Sequence, residues 1–344
     1  MTPSLTASSS SSSPLPLSYK NLFLIYTTAA TYRLINAHFI QTQFDPDEYW
    51  QTLEPAYCLA FKNSSNCVYT WEWTRSRALS LSRHQPNVFI DTLQNALHGP
   101  VRSHVSILPT FWFYKIVHYL SWDSTYMISH GPLYIHALLV VAPTDIATYV
   151  ISRWIHNIII IHPEKNCDNP NLPLLALMAN ITNWFHGYAL IRTYSNSVET
   201  MLLIVGMALL SPELFGRYQP QKQQQQNHIY RRNAKIAFIL GGLSVAIRFT
   251  SLAAWIPIGL ILSFRGISVG SSKEANENTF QNGFYTVFNL CALYGAIGLL
   301  IACMIDWYFY DMIVIPFLGN FHFNVILGMY FMCISIESFC FTKG

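Results

Sequence analysis

Three acids occupy four positions at the end of an apolar opening segment, in Phe44-Asp45-Pro46-Asp47-Glu48-Tyr49-Trp50-Gln51. Carboxylates at that density suit two tasks. One is turn formation, for which Asp-Pro-Asp is good chemistry. The other is general-base catalysis, in which a carboxylate within hydrogen-bond reach of a hydroxyl removes its proton. Crowded acids partly desolvated by Tyr49 and Trp50 hold their protons more tightly than free ones. Adjacent acids on a non-helical segment after a restraining proline diverge. One of Asp47 and Glu48 can then face a substrate hydroxyl while the other meets a neighbour.

Four further groups could join them. In Tyr69-Thr70-Trp71-Glu72-Trp73 an acid stands between two tryptophans. Aromatic faces stack on the C–H face of a pyranose while a carboxylate takes its hydroxyls. The same tryptophans suit a membrane-interface belt. Pro100-Val101-Arg102-Ser103-His104 places a guanidinium before the next apolar segment. In Arg192-Thr193-Tyr194-Ser195-Asn196-Ser197-Val198-Glu199, Arg192 can grip a phosphate through paired hydrogen bonds. Ser195, Asn196 and Ser197 add donors near a helix start, although a plain polar N-cap looks similar. Arg248-Phe249-Thr250 interrupts the otherwise uncharged stretch between Lys235 and Arg265. Such an arginine needs a carboxylate, a phosphate or water, and Asp145 is a candidate partner for one of these arginines in a structural ion pair.

The elements that position these residues follow from composition. The 344-residue chain is 52% hydrophobic and only 11% charged, against about 25% charged in ordinary soluble domains. Phe284 to Ile305, Leu172 to Ile191 and Met312 to Ile336 carry no Asp, Glu, Lys or Arg. About 20 such residues cross the hydrocarbon core of a bilayer, so the chain reads as an all-α polytopic membrane protein. A first span from about Tyr19 to Ile40 contains Arg33. Later candidates lie near residues 105–121, 131–150, 150–162, 172–191, 198–215, 235–248, 250–264, 284–304 and 308–336, giving nine or ten spans. The 150–162 piece is alternatively a re-entrant segment, and the aromatic-rich 105–121 piece alternatively interfacial. Gln51, Glu54, Tyr57 and Phe61 are spaced for a short amphipathic helix along the membrane surface.

Arg217, Lys222, Arg231, Arg232 and Lys235 form an acid-free loop that the positive-inside rule makes cytoplasmic. Arg265 and Lys273 share its side. Counting outward from this loop puts Gln41 to Arg102, Arg192 to Glu199, the Arg248 turn and Asp306 to Tyr310 together on the lumenal side. Ionisable residues at membrane depth default to functional hypotheses. The small net charge of +3 gives no sign of nucleic-acid binding. Seven cysteines show no Cys-x-x-Cys pair, so neither a zinc site nor a disulfide scaffold is indicated. Cys58 and Cys67 could pair in a lumenal loop, and two free thiols fit equally well. Residues 1–17 are a Ser/Thr/Pro-rich tail, disordered and cytosolic, without the basic start of a cleavable signal.

Taken in order, Pro46-Asp47-Glu48-Tyr49-Trp50-Gln51 with Leu53-Glu54-Pro55-Ala56, Thr70-Trp71-Glu72-Trp73 and Val101-Arg102-Ser103 are similar to motifs of one family. So are Arg192 to Glu199, Arg248-Phe249-Thr250, and Asp306 with Phe309-Tyr310 and Phe323-Asn324. The chain resembles the endoplasmic-reticulum mannosyltransferases that use dolichyl-phosphate mannose, glycosyltransferase family 22. Its wording is nearest to the branch that builds glycosylphosphatidylinositol (GPI) anchors. The resemblance covers about residues 20 to 326. It implies a GT-C fold, a multi-span helical body in the endoplasmic-reticulum membrane with its active site in a lumenal first loop. Residues 75–98 read as a lumenal insertion and 327–344 as a divergent end. The family continues with further spans beyond this point, so the 18–326 domain is expected to be C-terminally incomplete.

The resemblance further implies inverting transfer of an α1,2-linked third mannose from the lipid-linked donor to a GPI glycolipid. Asp47 is then assigned as the base, Glu48 and Glu72 orient sugars, Trp71 and Trp73 flank them, and Arg192 and Arg248 clamp the phosphate with Arg102. Ser195 and Asn196 assist in binding, and neither a metal nor a cofactor is required. Alternatives are an N-glycan or fourth-mannose transferase, a non-enzymatic transporter, and an inactive shortened product. Asn63-Ser64-Ser65 is a sequon in the expected lumenal loop.

Overall fold

A chain crossing hydrocarbon must satisfy its backbone groups internally, which leaves helices as the available element for these runs. The computed structural model describes residues 19–42, 46–61, 67–74, 99–160, 171–215, 223–265 and 278–327, and among them every regular element is helical. In chain order these are α1 (Tyr19–Phe39), α2 (Glu54–Phe61), α3 (Leu108–Tyr119), α4 (Thr125–His136), α5 (Ala142–Ile160) and α6 (Leu172–Thr182). They continue with α7 (Trp184–Tyr188), α8 (Ser195–Phe215), α9 (Gln223–Ile247), α10 (Leu252–Arg265), α11 (Asn278–Tyr310) and α12 (Pro316–Phe321). Thr125–His156, Ser195–Pro212 and Val287–Tyr310 are long and apolar enough to span a membrane, and Leu172–Thr182 and Phe249–Phe264 are shorter apolar helices. The expected all-α polytopic membrane architecture is present. Residues 1–17, Asp45, the Asn63 sequon, the 75–98 insertion, Arg217, Lys222, Lys273 and nearly all of 327–344 lie outside the described residues.

Several boundaries differ from those read in the sequence. The 131–150 and 150–162 segments are one helix, because α4 runs through a π turn at Ala137–Val141 into α5, with Tyr149 mid-helix. Nothing near Tyr149 breaks a helix. Pro132 upstream does remove an N–H that would bond the Ile128 carbonyl. The Tyr114 hydroxyl of α3 donates to that carbonyl instead, at 2.9 Å. At 1.5 Å per residue, residues 125–160 extend about 54 Å, well beyond a core of about 30 Å. The helix is therefore longer than the core is thick, and α3 packs beside its first part. With 12 residues, α3 is shorter than the about 20 that cross a hydrocarbon core.

The 172–191 segment breaks at Asn183, whose side chain caps α7 by accepting from Phe185 N–H at 2.9 Å. The 308–336 segment breaks after α11, where Asp311 turns the chain with φ of 54°. Left-handed backbone is most accessible to Gly, Asn and Asp.

Two interactions hold the bundle at depth. In α1, Arg33 makes a bidentate pair with Asp145 of α5 at 2.8 and 2.9 Å, both side chains fully buried. It also donates to the Asn180 and Ile181 carbonyls, while Asn180 donates to Asp145 at 2.6 Å. Asp145 thus serves Arg33 and none of Arg102, Arg192 or Arg248. Between α9 and α11 the backbones touch through glycine. A Cβ on Gly242 would lie 2.1 Å from the Gly295 carbonyl, and one on Gly298 2.2 Å from that of Ile239. Small residues allow this approach in membranes, where helix packing replaces hydrophobic drive.

A candidate active site at one end of the bundle

The segments at one end of the helices converge on the acidic turn. Pro46–Glu48 is helical and leads through a π turn, Tyr49–Leu53, into α2. This corrects the expectation of a non-helical segment, yet Asp47 and Glu48 still diverge, since neighbouring helical residues point about 100° apart. Asp47 is exposed. Glu48 is buried, and its carboxylate accepts from Arg192 Nη1 at 2.7 Å and from Thr193 N–H and Oγ1 at 3.2 and 3.4 Å. Arg192 also donates to the Thr42 carbonyl at 2.5 Å and lies 4.4 Å over the Tyr188 ring. A guanidinium so enclosed is a strut between α1, the acidic turn and α8, rather than the open clamp that its motif implied.

The second acid sits on a tight turn, closed by Trp73 N–H to the Thr70 carbonyl at 3.0 Å. Glu72 accepts from Arg102 Nη2 at 3.0 Å, and Arg102 Nη1 reaches Ser195 Oγ at 3.4 Å. The flanking tryptophans part company. Trp73 is buried among Ala56, Ile107, Phe111 and Tyr310, while Trp71 is exposed and rests on Phe323, centroids 4.7 Å apart. Only Trp71 offers a face to a ligand.

Arg102 is held from behind by the last turns of α11. Tyr310 donates to its carbonyl at 2.8 Å. Buried Asp306 accepts from Ser103 Oγ at 2.8 Å, His104 N–H at 2.6 Å and His104 Nδ1 at 3.2 Å. The Ser103 hydroxyl in turn caps the following turn by accepting from Val105 N–H. Burial pushes the His104 imidazole down from its ordinary value, opposed by Asp306. Asp306 and Tyr310, part of a motif in the sequence without an assigned role, thus support Arg102 from behind.

Arg248 stands in extended backbone between α9 and the turn that starts α10. It donates to Asn196 Oδ1 and lies 3.9 Å from Glu199, which also accepts from Ser251. Its side chain is the most open of the paired arginines. Cys58 of α2 and Cys67 form a disulfide, resolving the choice left open above and tying the Glu72 segment to α2. Among the described residues no group of three or more His, Cys, Asp or Glu is placed to hold a metal ion.

The arrangement thus presents an outward carboxylate, an aromatic face and two partly open guanidiniums around one end of a helical membrane body. The family model of the Alg9-like mannosyltransferases matches residues 24–90 and 97–330. Mannosyltransferase APTG1 of Arabidopsis thaliana is 25% identical over 240 residues, covering 70% of this chain and 35% of the relative. GPI alpha-1,2-mannosyltransferase 3 of Homo sapiens is 26% identical over 239 residues, 70% of this chain and 33% of the relative. GPI mannosyltransferase 3 of Gibberella zeae is 28% identical over 281 residues, 80% of this chain and 40% of the relative. The chain therefore spans between 33% and 40% of the length of these relatives. No solved structure matches.

Proposed function

The chain belongs to the Alg9-like mannosyltransferase family, and on that footing we propose that it is a mannosyltransferase of GPI-anchor assembly. The donor is dolichyl-phosphate mannose and the acceptor a GPI glycolipid, which receives its third mannose in α1,2 linkage. The names of the human and Gibberella relatives support this choice of acceptor. The observation that carries the mechanism is the division of the two adjacent acids. Glu48 is enclosed by Arg192 and Thr193, whereas Asp47 is exposed on the same turn. Asp47 is the base that accepts the proton of the acceptor hydroxyl.

That hydroxyl oxygen attacks the anomeric carbon as the bond to the lipid phosphate breaks. The single displacement inverts a β-linked donor to an α-mannoside, using the base half of an inverting glycosidase pair. The phosphate departs as a stable anion that asks for positive charge rather than a proton. Arg102 and Arg248 supply it, with Ser195 and Asn196 beside them. Glu72 and the Trp71 face orient sugar.

We further propose that the site faces the lumen of the endoplasmic reticulum. Cys58–Cys67 lies at the site end, and disulfides persist in oxidising compartments. Arg231, Arg232 and Lys235, expected in a loop, lie in the first half of α9, away from its Arg248 end, and the positive-inside rule expects such a basic stretch toward the cytosol. In cells lacking third-mannose addition, the native chain should restore GPI-anchored proteins at the surface. Asp47→Asn should reach equal abundance and restore none. Rescue by Asp47→Asn would remove the base assignment, and persistence of a two-mannose precursor with the native chain would remove the acceptor assignment.

A further inference from the structure

The first residue of α2 is an acid that the mechanism above does not use. Glu54 accepts from the Tyr49 hydroxyl through Oε2 at 2.7 Å. Its Oε1 lies 3.5 Å from Cys58 Sγ. That sulfur is in the disulfide with Cys67 and carries no proton to donate. Among the described residues, Oε1 is therefore an acceptor without a donor, at a position that is only partly buried.

Around it stand aromatic faces that the fold leaves open. Tyr49 is 36% exposed, Trp50 37% and Tyr69 37%. Tyr49 and Trp50 meet edge to face at 5.0 Å, a contact that takes up at most one face of one ring. Tyr69 comes from across the disulfide, two residues after Cys67, and falls within electrostatic reach of Glu54. The hydrogen bond to Glu54, with burial behind it, pushes the Tyr49 phenol up to about 12, so its hydroxyl stays protonated as a donor. On the other side of the same turn and helix, Thr52, Ala56 and Ala60 are fully buried. A membrane-interface belt would account for the rings, but not for a carboxylate oxygen left open between them.

We propose that Glu54, Tyr49, Trp50 and Tyr69 form a carbohydrate subsite that holds a non-reacting hexose of the acceptor beside Asp47. Rings receive the C–H face of a pyranose, and Glu54 Oε1 accepts from one of its hydroxyls. Asp47 is exposed on the turn that runs into Tyr49, within the span of a neighbouring glycan residue. The identity of the glycan rests on the functional proposal above. The subsite itself rests on the geometry of α2 and its neighbours.

The test uses the full chain in lipid nanodiscs, a soluble α-linked mannobioside as binding probe, and acceptor glycolipid with lipid-linked donor for transfer. Saturation-transfer NMR should show the mannobioside in contact with aromatic protons of the native chain. Glu54→Gln should raise the acceptor KM roughly tenfold, the size expected for one hydrogen bond to a charged group. The donor KM should stay unchanged and kcat should move little. Trp50→Ala and Tyr69→Ala, on separate segments, should each weaken mannobioside binding while eluting as the folded chain. Binding that is lost in these variants, in a native chain that transfers no mannose, would keep the subsite and overturn the enzymatic proposal. Active transfer with native acceptor KM in all three variants would overturn the subsite.

Discussion

Replacing Glu48 by Gln removes one charge and little volume, and it separates structural from chemical roles within the acidic turn. The Glu48 carboxylate lies 2.7 Å from Arg192 with both side chains almost fully buried. With charge centres about 4 Å apart and an effective dielectric of about 20, the attraction is about 4 kcal/mol. Glu48→Gln can still accept from Thr193, so those contacts largely survive. What remains is an enclosed guanidinium without a counter-charge, for which the expected loss is about 3–5 kcal/mol. Glu48→Gln with Arg192→Met removes both charges and should recover most of that loss, because no buried ion is left unpaired. Asp47→Asn, at an exposed position, should stay within about 0.5 kcal/mol of the native chain. The assay is reversible unfolding in mixed micelles titrated with sodium dodecyl sulfate and followed by tryptophan fluorescence. A stable Glu48→Gln protein together with an unstable Asp47→Asn protein would refute the division of labour from which the mechanism starts.

Two further substitutions test the body that carries the site. Gly298→Ala should cost about 1–3 kcal/mol or more through overpacking, since its Cβ would meet the Ile239 carbonyl. Gly295→Ala on the same helix should be tolerated, as nothing lies within 4 Å of its Cβ. Thermal unfolding monitored by size exclusion separates the pair. Asp145→Asn should lower stability by about 3–5 kcal/mol by leaving Arg33 unpaired at depth. Combining it with Arg33→Met should restore most of the loss, and folded yield after detergent extraction reads both.

The acids and arginines that mattered were visible because so few charges are present, and the convergence of Arg102, Arg192, Arg248 and the acidic turn followed from counting spans. The span boundaries were less legible: the 131–150 and 150–162 segments are one continuous helix, and 172–191 is broken at Asn183. Local pattern could not settle which acid turns inward. Glu48 is buried because Arg192, 144 positions away, reaches it. Arg33 finds Asp145 across 112 positions, a pairing no local spacing encodes. The tryptophans around Glu72 likewise look equivalent in sequence. Only the packing of α2 and α3 buries Trp73 and leaves Trp71 outside. Asp306 stood out as an acid ending an apolar run, but its partners Ser103 and His104 lie more than 200 positions away.

Under the proposed function, the same distinction ranks the arginines as contacts for the donor phosphate. Relative exposure of the paired side chains rises in steps: 0% and 0% for Arg33 and Asp145, 1% and 3% for Arg192 and Glu48, 14% and 18% for Arg102 and Glu72, and 37% and 16% for Arg248 and Glu199. A buried pair resists exchange, because drawing the cation toward a ligand strands its carboxylate in low dielectric. An open pair is worth about 1 kcal/mol or less, and water takes over whichever partner is released. On that proposal, a phosphate would displace Glu199 from Arg248 at the smallest cost. It can draw Arg102 from Glu72 at moderate cost, and it cannot take Arg192 from Glu48 without opening the acidic turn. Releasing Glu72 from Arg102 also frees a carboxylate beside the exposed Trp71 face. Donor arrival at Arg102 would then prepare the sugar contact at Glu72. On the proposed function, Glu72 and Arg102, 30 positions apart in sequence and paired in the fold, form a bridge that the donor phosphate would open to make both halves available.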